Sequence, residues 1–317
     1  MPLPNNENLI SLSEALIAEF DALFGMHPGF RPAHAKGEML TGTFHPSADA
    51  RKLSKALHFA RECTPVTVRF SNSTGLPLLP DNDPNANPRG MAIRFNMAEH
   101  HHTDIVSHST DGFPVRTGAE FLEFLKAVAG SGAGVPSPTP IEQFLGTHPA
   151  ALAFVQTPKP APVSFGSENY YGVTAMVFTN EHGIRQYGRY RIIPGGGVEH
   201  LDDDAVKAKG PDYLFEELKV RVAGEPLKFL LQVQLAEIGD VVDDATIHWP
   251  EERPIVDLGL ITLNELVPES AEEQRKIIFD PIPRLPGIEP SDDPLLELRA
   301  AIYLMSGRRR RAAAVQA

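Results

Sequence analysis

Residues 29–46, GFRPAHAKGEMLTGTFHP, decide the fold, because a helix-like run has just ended there and a strand begins. Polar and apolar residues alternate from His34 to Pro46, with the two-residue period of a half-buried strand. The same stretch holds His34 between Arg31 and Lys36. A core histidine needs no such basic company, so His34 is a candidate functional residue.

Runs of the same kind follow this strand in meander order, and short turns separate them. They predict strands at 64–73, 90–99, 101–110, 172–180, 184–195, 225–239 and 252–266. Amphipathic runs predict helices at 9–24, 47–60, 117–130, 202–224 and 292–311. Ser11 or Ser13 is expected to cap the first helix and Thr117 the third. This order indicates the α+β class and favours an antiparallel β-barrel with inserted and appended helices.

The 317 residues contain no internal repeat and no long linker, so we predict one domain over 1–317. Its parts would be an N-terminal helix over 1–26, a barrel with helical insertions over 27–260 and a C-terminal segment over 261–317. Such a chain is long enough to bury a sizeable core.

The charge and the cysteine content limit the classes of function. A net charge of −12 and a pI of about 5.5 argue against a nucleic-acid partner, which needs a basic surface. Cys63 is the single cysteine, so one chain forms no disulfide framework and no multi-thiolate metal site. No run approaches the roughly 20 apolar residues of a membrane span, and no signal peptide is recognisable. We expect a cytoplasmic protein that acts on small molecules.

A second candidate site lies near the C-terminus, in LLELRAAIYLMSGRRR (295–310). Arg299 and Tyr303 are four residues apart and share one helix face, and Arg310 joins that face if the helix continues through Gly307. A guanidinium beside a phenol favours the phenolate, a hard oxygen donor suited to ferric iron and used as a haem ligand. The alternative is a core tyrosine followed by a solvated cationic helix end.

Four stretches together resemble the signatures of haem catalases. RPAHAKG (31–37) resembles the distal signature, VTVRFSNS (66–73) a characteristic strand, and NPRGMAIRF (87–95) a further motif. FDPIPRLPGIEPSDDPLLELRAAIY (279–303) resembles the proximal signature. The four stretches occur in the same order as in haem catalases, over most of the chain. Because the chain is short for a catalase, it looks like the catalase-related peroxidases, a minimal version with a catalase-like barrel.

The resemblance implies a haem b site with residues in defined roles. His34 would be the distal acid–base group, oriented by Ser71, and Tyr303 would be the iron ligand, kept anionic by Arg299. The remaining residues would contact the cofactor: Arg31, Arg69 and Arg310 at the haem propionates, and Phe113 and Phe121 at the pocket and its channel. For Phe121, ordinary packing on a helix face is equally open.

The sequence departs from the family pattern on the distal side. His108 stands where the family has an asparagine, within DIVSHST (104–110). An imidazole is larger than an amide and can titrate, so efficient disproportionation of hydrogen peroxide is in doubt. Pro114 replaces a second aromatic residue beside Phe113, which suggests a more open pocket.

The leading hypothesis is a haem peroxidase that reduces hydrogen peroxide or organic hydroperoxides with a small organic reductant, with weak catalase activity at most. Two alternatives stay open: a haem enzyme that rearranges fatty-acid hydroperoxides, and a haem-binding or sensing module without turnover. Besides peroxide and reductant, a second copy of the chain in a homo-oligomer is a candidate partner: catalase relatives are oligomeric, but the sequence leaves a monomer, a dimer and a tetramer open.

Overall fold

The computed structural model describes residues 3–315. The strands found there are β1 (Gly37–Pro46), β2 (Thr64–Ser71), β3 (Gly90–Ala98), β4 (His101–His108), β5 (Tyr170–Tyr171), β6 (Met176–Thr179), β7 (Arg185–Pro194), β8 (Leu227–Leu235), β9 (Ile255–Leu266) and β10 (Ile288–Pro290). The α-helices found there are α1 (Glu7–Phe24), α2 (Ala48–Leu53), α3 (Leu57–Ala60), α4 (Gly118–Ala129), α5 (Pro140–Thr147), α6 (Pro149–Gln156), α7 (Asp203–Lys207), α8 (Tyr213–Gly224), α9 (Ser270–Lys276) and α10 (Pro294–Val315). The ends of the predicted single domain, 1–2 and 316–317, lie outside these residues.

The fold is a closed antiparallel barrel, as predicted. In the described residues eight strands form the ring, in the order β7, β5, β4, β3, β2, β1, β9, β8 and back to β7. Strand β6 pairs with β7, and β10 extends the sheet beyond β6. Closure leaves the ring without unpaired edges, which removes the aggregation hazard of open sheets.

Side chains alternate between the barrel interior and its outer wall. Leu40 and Phe44 of β1, Phe70 of β2 and Phe95 of β3 are fully buried in the main core cluster. The intervening residues therefore point outward. The functional residues predicted on β2 and β4 all belong to this outward set, so the candidate site is built on the outside of the barrel.

The register aligns the outward residues of β2, β3 and β4 in rows that run across the three strands. The first row is Ser71, Gly90 and His108; the second is Arg69, Ala92 and Val106; the third is Thr67, Arg94 and Asp104. Gly90 and Ala92 carry only hydrogen or a methyl group, so these two positions leave room above the wall for side chains from other elements.

Helices cover this wall. Leu16 of α1, Leu125 of α4 and Leu298 of α10 are buried together in a second apolar cluster. Leu296 and Ala300 of α10 join the main core instead. Helix α10 thus lies between the barrel and α1, with one face toward each. This placement of the helix sets the positions of Arg299 and Tyr303.

The cap of α1 differs from the prediction, whereas the cap of α4 agrees with it. Asn6, not Ser11 or Ser13, caps α1, and its side chain accepts from the N–H groups of Asn8 and Leu9. Thr117 forms the expected capping box on α4.

Two predicted helices are each divided into a pair. The predicted helix at 202–224 is split into α7 and α8 around Gly210 and Pro211, since proline cannot continue a helix. The predicted helix at 47–60 ends at Leu53 and restarts at Leu57. Helices α5 and α6 were missed, although each has a proline in its first turn, a common start signal.

No helix among residues 3–315 combines the length and the apolar character needed to cross a bilayer.

Candidate active site

His34 lies in the loop that leads into β1, and its backbone is held in an unusual conformation. Its φ of 56° is in the left-handed region, which costs a non-glycine residue roughly 1–3 kcal/mol. Its N–H donates to the carbonyl of Ser73 at 2.7 Å, and its carbonyl accepts from Arg69 at 2.9 Å. These bonds fix the direction of the imidazole, and strain of this kind is common at functional sites.

The His34 ring contacts Ser71 in the first row of the outer wall. Nδ1 of His34 lies 3.1 Å from Oγ of Ser71. Gly90, next to Ser71 in that row, provides the space for this pair: a β-carbon there would lie 2.5 Å from Ser71 Oγ and 2.9 Å from His34 Nδ1. The expected pairing of His34 with Ser71 therefore depends on a glycine.

His34 is neutral near neutral pH. Burial, followed by the positive charge of Arg69, lowers its pKa from 6.5 to about 4, although a hydrogen bond to the backbone of Asn72 opposes the shift. Arg31 and Arg299 lower the pKa further. A neutral imidazole keeps one nitrogen lone pair free, as a general base requires.

His108 occupies the same row at the end of β4 and faces the same space. Burial, then the charge of Arg299 and, at low pH, that of protonated His34 lower its pKa to about 3. The N–H of Thr110 donates to its Nδ1 at 3.3 Å, so in the neutral ring Nε2 carries the proton. His108 therefore presents a hydrogen-bond donor that does not titrate near neutral pH.

Tyr303 and Arg299 lie on α10, and the charge of Arg299 is close enough to lower the pKa of both His34 and His108. Nε and the Nη2 nitrogen of Arg299 both lie 3.4 Å from the Tyr303 hydroxyl oxygen. Helix α10 continues through Gly307, as the shared face of Arg299, Tyr303 and Arg310 requires. Gly307 packs directly against the side chain of Ile278, which would have to shift to make room for a β-carbon there.

Arg31, Arg69 and Arg310 form a cationic cluster at one side of the site. Arg31 and Arg310 donate to the same carbonyl, that of Ile277, at 3.3 and 2.7 Å. Burial, then Arg69 and Arg310, lowers the pKa of Arg31 well below its usual value. Burial and Arg310 lower the pKa of Arg69 to about 9.

The cationic cluster suits an anionic cofactor edge. Among residues 3–315 no salt bridge joins any of its three arginines to a carboxylate, and Nε of Arg310 is buried without a hydrogen-bond partner. Buried cations without counter-ions are costly. Two carboxylates, such as those of haem propionates, would balance two of the three charges of the cluster and accept bidentate bonds. The residues present therefore fit haem.

Phe113 and Phe121 belong to the apolar cluster formed by α1, α4 and α10. Their ring centroids are 5.1 Å apart, and Phe121 also packs against Phe20 of α1 at 6.1 Å. Both residues are partly buried there. Packing explains both positions, and their contact with a cofactor stays a prediction.

A buried network that supports the His34 loop was not found from the sequence. Lys36 bonds Asp81 at 2.7 Å, and Asp81 also accepts from Asn72 and from the N–H of Leu214. Arg89, which is fully buried, donates to Asn72 and to the Asp81 carbonyl. The acid Asp81 lies in a proline-rich loop, so nothing in the local pattern indicates its partners.

Gln274 was also missed. Its side-chain oxygen accepts from Nε of Arg69 at 2.6 Å, and its amide donates to the Gly37 carbonyl at 3.0 Å. It lies on α9, a short helix that the sequence analysis did not predict.

The fold is a closed β-barrel, and the site on its outer wall gathers two histidines, a tyrosine and four arginines from the stretches that the sequence motifs indicated. A family model described as Catalase matches residues 28–317. The chain therefore belongs to the catalase family.

Individual relatives agree. The chain is 32% identical over 285 residues to a catalase-related peroxidase of Mycolicibacterium paratuberculosis, covering 89% of each chain. It is 29% identical to a catalase-related peroxidase of Synechococcus elongatus, covering 94% of this chain and 88% of the relative. Catalase A from Saccharomyces cerevisiae has a similar structure, with a TM-score of 0.78 at 23% identity, which shows the fold alone. The match covers 98% of this chain but 65% of the yeast chain, so the protein spans less than two thirds of that catalase.

Proposed function

We propose that this protein is a haem b peroxidase that reduces hydrogen peroxide or organic hydroperoxides at the expense of a small organic reductant. The general activity follows from membership of the catalase family, whose members are oxidoreductases that act on peroxide with a haem cofactor. The specific reaction rests chiefly on one observation, the neutral His34 bonded to Ser71 beside three arginines that form no salt bridge to a carboxylate within residues 3–315. The cytoplasmic location and the homo-oligomer stay predictions.

The residues that would hold the cofactor come from both ends of the chain. Tyr303 would supply the oxygen ligand to iron, with Arg299 bonded to that oxygen. Arg31, Arg69 and Arg310 would bind the propionates. When bound, haem iron supplies the electrons that cleave the O–O bond of the peroxide.

His34 would move the proton that this cleavage requires. We assign the ring proton to Nδ1, which then donates to Ser71 Oγ and leaves the lone pair on Nε2. Nε2 would accept the proton from one oxygen of the peroxide and return it to the other oxygen, which would leave as water or an alcohol. Ser71 keeps the ring in this orientation.

His108 would position the peroxide without exchanging protons with it. Its Nε2–H takes the place of the amide donor that the family asparagine provides. Because an imidazole is larger than a carboxamide, less room remains for a second hydrogen peroxide as reductant. This favours peroxidase turnover over disproportionation: ROOH + AH2 → ROH + A + H2O, where AH2 is the reductant.

The test is a peroxide titration of the haem-loaded protein, followed by visible absorption with and without an aromatic reductant. We expect a Soret band and faster peroxide consumption in the presence of reductant. His34→Ala should slow that consumption by about 100-fold or more. Failure to bind haem, or equal consumption by His34→Ala, would refute the proposal. Conversion of a lipid hydroperoxide to an isomer without reductant would instead support the rearrangement hypothesis.

A further inference from the structure

A cleft of about 360 Å³ lies on the outer wall of the barrel, beneath α9. Its floor is formed by Thr41 of β1, Thr67 of β2 and Asn96 of β3, and Met39, Val267 and Ile277 contribute apolar walls. The proposed peroxide chemistry uses none of these side chains.

The cleft adjoins the cationic cluster in two ways. Its floor residue Thr67 is two residues along β2 from Arg69, a distance of about 7 Å in a strand, and both point outward. Its wall residue Ile277 carries the carbonyl that accepts from Arg31 and Arg310. A molecule in the cleft would therefore lie beside the residues proposed to hold the propionates, away from the space between His34 and His108.

The lining selects a neutral ligand. Arg94 is paired with Asp104 by two bonds of 2.7 and 2.8 Å. Lys276 is paired with Glu272 at 2.7 Å and with Glu273 at 3.0 Å. Both cations that line the cleft are thus neutralised, and the net charge of −12 disfavours anions further.

The polar groups of the floor suit a hydroxyl. Asn96 Nδ2 donates to Thr67 Oγ1 at 3.1 Å, and Thr41 lies opposite Thr67 in the sheet. Threonine hydroxyls both donate and accept, as a phenol does. The apolar walls suit the face of an aromatic ring, and the volume is sufficient for a single-ring molecule.

We propose that this cleft binds the reductant, a neutral single-ring phenol. The bound phenol would give up its electrons at the haem edge that carries the propionates. The inference rests on the proposed peroxidase function. Two phenols each lose one electron and one proton, and the peroxide takes up the two electrons and the two protons: ROOH + 2 ArOH → ROH + H2O + 2 ArO•. The reductant then needs no access to the peroxide pocket, so both substrates bind at once.

The test measures binding and turnover separately on the haem-loaded protein. Thr41→Phe fills the cleft from its floor, and Thr43→Phe, two residues along the same strand and outside the cleft, is the matched control. Saturation-transfer NMR with 2-methoxyphenol measures binding without turnover. Steady-state assays measure the KM for the same phenol.

We expect Thr41→Phe to abolish the NMR signal of bound phenol and to raise the phenol KM by about 10-fold or more, while Thr43→Phe changes neither. Thr41→Val, which keeps the β-branched shape, should weaken binding less and serves if the larger variant misfolds. Equal phenol binding by Thr41→Phe, Thr41→Val and the unaltered protein would overturn the inference. Loss of phenol binding in a protein that lacks peroxidase activity would keep the cleft as a phenol site and refute only the peroxidase function.

Discussion

Gly90 lies directly against His34: a β-carbon at Gly90 would be 2.9 Å from the Nδ1 atom of that histidine. The two residues are 56 positions apart in the chain, and the register of β2 with β3 brings them together by placing Gly90 beside Ser71. The glycine is needed here for close approach rather than for a turn, because its φ is not in the left-handed region.

Gly90→Ala should therefore displace the His34–Ser71 pair without unfolding the barrel. A displacement of about 1 Å can cost about 100-fold in rate, so we expect peroxide consumption to fall by one to two orders of magnitude. Gly196→Ala, at a glycine with open space around it, is the control and should behave as the unaltered protein. Peroxide consumption by Gly90→Ala at the unaltered rate would show that His34 tolerates a shift or is not the base.

The rate of reaction with peroxide should depend on pH through His34. Its pKa is lowered to about 4, so the neutral base is present above that pH and is lost as the pH falls through it. Propionates at the cationic cluster would offset the charges of Arg69 and Arg31, which places the midpoint between about 4 and the ordinary 6.5. Stopped-flow rates across this range measure it. A midpoint above 6.5, or the same midpoint in His34→Ala, would assign the titration to another group.

Replacement of His108 should separate hydrogen bonding from side-chain size. His108→Leu removes the Nε2–H donor, and the loss of one such bond to the peroxide should cost about 5- to 10-fold in rate. His108→Asn retains a donor in a smaller side chain and should increase oxygen release from hydrogen peroxide. An oxygen electrode and peroxide absorbance measure the two reactions. If His108→Leu reacts as fast as the unaltered protein, His108 has no role in positioning peroxide.

The cationic cluster should destabilise the haem-free protein and favour haem binding. Arg31→Met removes one of the three like charges of the cluster, so the haem-free form should unfold at the same or a higher temperature. The same variant should lose haem about 10-fold faster or more, because a charge-assisted bond to a propionate is absent. Transfer of haem to an acceptor protein measures the rate, and Arg308→Met, at an exposed position of α10, is the control. A lower unfolding temperature with unchanged haem loss would make Arg31 a purely structural residue.

His58 should limit stability in acid. It packs against Phe59 and Phe95 with ring centroids 4.0 and 4.8 Å away, and its Nδ1 has no hydrogen-bond partner. Burial lowers its pKa from 6.5 to about 3, so the neutral ring contributes fully above 6.5, and stability is lost as the pH falls below that value. His58→Leu should remove this dependence.

Between about pH 7.5 and about pH 5, the unaltered protein should lose about 2 kcal/mol more unfolding free energy than His58→Leu. Urea unfolding at both pH values measures the difference. His100→Leu, at a side chain that is 93% exposed, should lose as much as the unaltered protein. Equal losses in His58→Leu and the unaltered protein would mean that His58 takes up a proton as readily in the folded state as in the unfolded state.

Periodicity in the sequence predicted the elements that carry the site. The strand at 64–73 was found as β2, and the helix at 292–311 as α10, because each has a regular pattern over at least two turns or three alternations. Short elements that do not complete a full period were not predicted. Strands β5 and β10 have two and three residues, and the N-cap residue of α9, Glu269, has a positive φ and forms no side-chain cap.

The sequence by itself determined the residue types of the site, since His34, Ser71, Arg299 and Tyr303 lie in motifs that keep their spacing within one strand, loop or helix turn. Only the tertiary structure decided which of them meet, and what surrounds them. Strand register placed Gly90 between Ser71 and His108, and the packing of α9 and α10 brought Gln274 to Arg69 and Ile277 to Arg31 and Arg310. The reason is physical: local spacing fixes side-chain direction within one element, whereas burial, charge and close approach depend on elements distant in the chain.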